Sequence, residues 1–161
     1  MFIKLRCFPM NKLIFRSLLI AELVLVPSTT VIAEPEVPII QREFEQVVNR
    51  VNFTPSDAST IKNSVISRLS YKDKKIIKTL SLQTIRNLAD SACYNNQSFG
   101  FYASKNELRL EKGQTYASRW AYLVTSQELS NPYPIKYRSA LPAIYNYVIA
   151  NYNKCVYSPN P

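Results

Sequence analysis

The 161-residue chain carries 20 Lys and Arg against 11 Asp and Glu, a formal net charge of +9, with no histidine, two glycines, three cysteines and eleven tyrosines. Without an imidazole, Ser-His-Asp and Cys-His hydrolysis and histidine-ligated metal or haem are excluded, and Gly100 and Gly113 alone cannot build a phosphate-cradling loop or a dinucleotide fingerprint. A composition 47% apolar and 19% charged is that of a folded chain, and the length favours one domain.

Residues 1–33 read as a cleaved signal peptide: Lys4, Arg6, Lys12 and Arg16 precede an apolar run from Leu18 to Val26, and Val31-Ile32-Ala33 supplies a cleavage junction. Met10 is an alternative start, since Met10 to Ala33 alone forms a signal of ordinary length. Glu22 and Pro27 interrupt the roughly 20 apolar residues that a retained anchor needs. Removing this segment takes four basic residues and one acidic one, leaving residues 34–161 at +6. Two cysteines remain there, Cys93 and Cys155, and an even pair in an exported chain reads as one disulfide. No metal site and no cofactor are expected.

After the Pro-rich start, Ile40, Phe44, Val47, Val48 and Val51 form one stripe of a helix that should stop near Asn52. Thr54-Pro55-Ser56-Asp57 supplies an N-cap, a proline at the first position and an acid three residues after the cap. A second helix with Ala58, Ile61, Val65 and Leu69 on one side follows. Ser70 and Asp73 repeat the cap for a short third helix carrying Ile76, Ile77 and Leu80. A stripe through Leu82, Ile85, Ala89 and Cys93 should end in the polar cluster Asn95-Asn96-Gln97-Ser98.

Ser104-Lys105-Asn106-Glu107 spells a capping box, so a short helix ending at Gly113 is expected; a hairpin near residues 105–118 is the alternative, turning at Lys112-Gly113. Tyr116, Trp120, Leu123, Val124 and Gln127 make a further helix, and Asn131-Pro132-Tyr133-Pro134 a stiff loop. Ser139 should cap the last helix, whose face holds Leu141, Ile144, Tyr145, Val148, Tyr152 and Cys155. The fold class is therefore mainly α: a small bundle of five or six helices with one disulfide, a single domain over 34–157, and a frayed tail at 158–161.

Ser59 and Lys62 have the spacing of a serine–lysine nucleophile, but its S-D-N and K-T-G companions are missing. Carboxylates are the remaining catalysts. Asp90 and Glu107 flank the aromatic stretch Tyr94 to Tyr102 and form the pair that a glycan hydrolase of the peptidoglycan type would need. The charge pattern points instead to binding. Arg68, Lys72, Lys75 and Lys78 make the second and third helices basic, and the first three, at i, i+4 and i+7, would form one stripe were the helix continuous there, suited to an anionic envelope polymer or an acidic protein. Ten of the eleven tyrosines lie between Tyr94 and Tyr157, with Tyr133 and Tyr137 placed as aromatic contacts for a partner. Nucleic acid is not expected as a partner of an exported chain, and membrane contact is expected only through an uncleaved leader. The expected role is noncatalytic binding or support in the periplasm or cell envelope; the glycan hydrolase and a structural subunit of an envelope assembly are the alternatives.

Overall fold

In the computed structural model, residues 39–159 are described; the leader assigned to residues 1–33 and the last two residues of the tail lie outside them. Among the described residues six α-helices follow one another: α1 (Ile39–Val47), α2 (Pro55–Arg68), α3 (Tyr71–Thr79), α4 (Leu82–Ser104), α5 (Tyr116–Val124) and α6 (Leu141–Asn151), with 3-10 turns at Ile135–Tyr137 and Asn153–Cys155. The fold is a small helical bundle with one disulfide and, among the described residues, no strand.

Helix starts follow local chemistry. Thr54 Oγ1 accepts from the Asp57 amide at 3.1 Å while Asp57 Oδ2 accepts from the Thr54 amide at 2.8 Å, so two amides with no partner inside the helix are satisfied reciprocally. The Thr54 amide and hydroxyl, both donating to Asp57 Oδ2, hold the Asp57 carboxyl below the usual carboxylate range. Ser70 caps α3 by accepting from the Asp73 amide at 3.2 Å, and Thr115 with Ser118 closes a capping box on α5.

The core is built where these helices face one another: Ala58, Ile61 and Val65 of α2, Ile77 of α3, Ile85, Leu88, Ala89 and Ala92 of α4, Trp120 of α5 and Ile144 and Val148 of α6 are all buried. Cys93 of α4 is bonded to Cys155. Cys155 belongs to the 3-10 turn after α6, not to the helix face expected of it, because the chain leaves α6 at Tyr152, whose backbone is extended.

Several boundaries differ from the sequence expectation, each through a contact between distant residues. The helix α4 runs straight through Asn95–Ser98 because Asn96 and Gln97 point inward. The Tyr145 hydroxyl donates to Asn96 Oδ1 at 2.7 Å, and Asn96 Nδ2 donates to the Cys155 carbonyl at 2.8 Å. Gln97 Oε1 accepts from the Asn49 amide at 2.6 Å, and its Nε2 donates to the carbonyls of Asn49 at 2.7 Å and Lys154 at 2.8 Å. The same bonds explain why α1 stops at Val47, short of Asn52: Asn49 gives its backbone groups to Gln97. Burial satisfied in this way carries little of the cost of an unpaired polar group.

Neither the short helix expected between Ser104 and Gly113 nor the alternative hairpin near residues 105–118 forms. Ser104 is the last residue of α4, and Asn106 follows with φ of +59°. The amides of Asn106 and Glu107 donate to the carbonyls of Ala103 and Tyr102 at 3.0 and 2.9 Å, the two bonds of a Schellman ending. Ser104 therefore closes a helix where the sequence suggested it would open one. A tight turn does occur at Lys112-Gly113: the Gln114 amide donates to the Glu111 carbonyl at 2.9 Å, with Gly113 at φ of +80°. Arg119 Nη1 secures this irregular segment by donating to the Arg109 carbonyl at 3.1 Å. Gly100 sits inside α4 for a packing reason, since a Cβ there would lie 2.6 Å from Cβ of Tyr157.

Candidate functional site

The basic residues do not share one stripe. The helix breaks at Leu69, whose backbone is extended, and this break separates Arg68 from Lys72 and Lys75. Arg68 ends α2 and lines a groove of about 310 Å³ against α6, with Val65, Ala143, Asn146, Tyr147 and Ala150. Lys78 is exposed on the last turn of α3. Its carbonyl and that of Leu80 both accept from Lys62 Nζ, so the Lys62 ammonium compensates the negative end of the α3 dipole.

Lys72 and Lys75 instead meet Lys136, from the turn after the proline loop. These three cations, with Tyr71 and Ile76, line an open cleft of about 560 Å³. Tyr71 is 75% exposed, and Lys75 Nζ lies 4.5 Å from its ring centroid, a cation–π contact. No carboxylate lines the cleft. The nearby acid, Asp73, has both oxygens engaged: Ser139 donates to Oδ1 at 2.7 Å and Ser70 to Oδ2 at 2.8 Å. Those hydroxyls, Ser139 first, hold its carboxyl below the usual range, with a smaller contribution from Lys72. Ser139 thus ties α3 to the start of α6 and is not the N-cap of that helix, a place taken by Ala140.

The turn that presents Lys136 is held from three sides. The Tyr133 amide donates to the Val124 carbonyl at 2.8 Å, and the Arg138 Nε donates to Thr125 Oγ1 at 2.7 Å while its guanidinium lies 4.8 Å from the Tyr122 ring centroid. Tyr133 and Tyr137 are partly buried against the core rather than displayed, and burial raises the Tyr133 phenol above its ordinary pKa. Of the cleft residues, Lys136, Tyr71 and Ile76 were not singled out as contacts from the sequence. Lys136 stands alone in an aperiodic loop about 60 positions from α3, so no spacing rule joins it to Lys72.

The two candidate catalytic carboxylates are not brought together. Asp90 lies on α4, and the Glu107 amide bonds the Tyr102 carbonyl, twelve residues further along the same helix. At 1.5 Å per residue that is about 18 Å, beyond the 5–9.5 Å across which paired glycosidase carboxyls act. Glu107 is exposed. Asp90 lines a pocket of about 240 Å³ with Val48, Asn49, Arg50, Val51, Asn52, Cys93 and Tyr94, and its Oδ1 is buried with no hydrogen-bond partner among the described residues.

Burial raises the Asp90 carboxyl, against the opposing pull of the Phe53 amide and Arg86. A carboxyl raised on folding stabilises the native state only while both states are protonated, below the unfolded value of about 3.9; stability then falls as pH rises through the folded value. Asp90→Asn is therefore expected to melt close to the parent at pH 3 and above it at pH 7. A loss at pH 7, or an equal gain at both values, would contradict this reading of the site.

Among the described residues no group of three or more Cys, Asp or Glu side chains is placed to hold a metal ion, and no helix is long and apolar enough to cross a membrane. Compared with known protein families, curated proteins and solved structures, the chain matches none of them.

Proposed function

We propose that the chain is a noncatalytic binding protein of the cell envelope that holds an anionic partner on the cleft between α3 and the Ile135–Tyr137 turn. One observation carries the reading: Lys72, Lys75 and Lys136 converge on one cleft that no carboxylate lines. Like charges gathered along a cleft with no carboxylate in its lining repel one another, and an incoming anion relieves that repulsion. The apolar floor of Tyr71 and Ile76 adds area that excludes water from such a contact. The signal pattern of residues 1–33 and the Cys93–Cys155 disulfide support an oxidising, exported compartment.

Binding to fluorescently labelled polyglutamate, followed by anisotropy, tests the proposal. Lys72→Ala/Lys75→Ala should weaken binding about tenfold, about 0.7 kcal/mol per exposed lysine, and Arg68→Ala, in a separate groove, less than twofold. Raising salt from 0.05 to 0.5 M should erase most of the difference, because the screening length shrinks from about 14 Å to about 4 Å. Equal losses from Arg68→Ala and either lysine substitution would show that net charge alone attracts the polymer.

A further inference from the structure

We propose that the anionic partner of this cleft is the surface of an anionic bilayer, docked by the folded domain itself and not through the leader. The inference rests on the anion-binding reading above and adds Ile135, an exposed apolar side chain outside the cleft lining that a soluble polyanion would leave unused. Two of the most exposed large apolar side chains among the described residues stand beside the three lysines: Tyr71, 75% exposed, at the first position of α3, and Ile135, 62% exposed, next to Lys136. Both elements are fixed to the body of the protein. Ser70 and Ser139 hold the start of α3 through Asp73, and Arg138 holds the turn through Thr125.

An aromatic and a branched aliphatic side chain set among lysines is the composition of a surface that lies in the headgroup region. The lysines meet anionic headgroups, each adding about fivefold to affinity, while the apolar side chains enter the acyl boundary. Tyrosine suits that depth because its ring is apolar and its hydroxyl stays hydrated. The Lys75 ammonium, already 4.5 Å from the Tyr71 ring centroid, is placed to meet a headgroup phosphate as that ring enters. A soluble acidic polymer would satisfy the lysines yet give the exposed Ile135 little to bury against.

Full-length chain is mixed with vesicles of phosphatidylglycerol and phosphatidylcholine, or of phosphatidylcholine alone, and bound protein is followed by sedimentation and by amide hydrogen exchange. The proposal expects protection of the Tyr71–Ile76 and Ile135–Tyr137 amides on anionic vesicles only. It also expects about fivefold weaker sedimentation for Tyr71→Ser and for Ile135→Ser, with polyglutamate binding unchanged in Ile135→Ser, whose side chain lies outside the cleft lining. Vesicle binding without protection at these amides, or equal in parent and variants, would place the contact elsewhere and overturn the proposal. Polyglutamate binding without vesicle binding would overturn the bilayer and leave the anion reading standing; binding to neither would overturn both.

Discussion

Removing the Cys93–Cys155 bond, by Cys93→Ser/Cys155→Ser, is expected to cost about 4 kcal/mol and to lower the melting midpoint by about 15 °C. The two cysteines are separated by 62 positions, and on the chain-entropy model a loop of that length gives the unfolded state much freedom once the link is lost. For a domain whose total stability is on the order of 5–15 kcal/mol, that is a large share. Both sulfurs lie in the core, with Cys93 2% and Cys155 0% exposed. Thiol reductant should consequently act on the native protein only through opening of the C-terminal turn, and far faster in urea. Urea melts of parent and double variant measure the loss directly, and a difference below about 1 kcal/mol would contradict the role given to this bond.

Gln97→Leu should cost about 3 kcal/mol, though it places an apolar residue of similar size in a site only 2% exposed. The Asn49 amide, the Asn49 carbonyl and the Lys154 carbonyl all lose their partner together, and each buried group left unpaired costs about 1–3 kcal/mol, less where water reaches it. Gln97→Glu separates hydrogen bonding from shape. It keeps an acceptor for the Asn49 amide but turns an acidic oxygen toward two carbonyls, so at neutral pH it should be at least as damaging as leucine. Below the pKa of the new carboxyl one donor returns, and the glutamate variant should regain stability relative to leucine. Thermal melts at pH 4 and pH 7 report the difference; a leucine variant as stable as the parent would remove the network from the account.

What could be read from the sequence was local. The Thr54–Asp57 and Ser70–Asp73 caps lie within four residues of the helices they open, and the buried positions of α2 and α4 recur at helical spacing. The cysteine pair needed only counting. The misread features depend on partners far along the chain. Asn95–Ser98 resembles a surface loop until the partners of Asn96 and Gln97, 48 to 59 positions away, are in place. Ser139 looks like a cap because Asp73, its actual partner, is 66 positions away. Ser104 to Glu107 fits a capping box by residue type, but Asn106 accepts the left-handed conformation that ends the preceding helix instead.

The site divides in the same manner. A basic α3 is visible in Lys72, Lys75 and Lys78, but a stripe reaching back to Arg68 required a helix continuous through Leu69, and Ser70 caps a new one there. Which lysines line one cleft was decided by the turn that delivers Lys136 to it. Tyrosine abundance pointed toward Tyr133 and Tyr137, whereas the most exposed tyrosine among the described residues is Tyr71, outside the tyrosine-rich half of the chain.

The most direct test of the cleft as the binding surface is an amide-resolved NMR titration of the chain with a short polyglutamate at low salt. Shifts confined to Tyr71–Ile76 and Ile135–Tyr137, saturating together and lost in Lys72→Ala/Lys75→Ala, are the predicted result. Shifts spread evenly over the basic surface, or gathered at Val48–Asn52 beside Asp90, would contradict it.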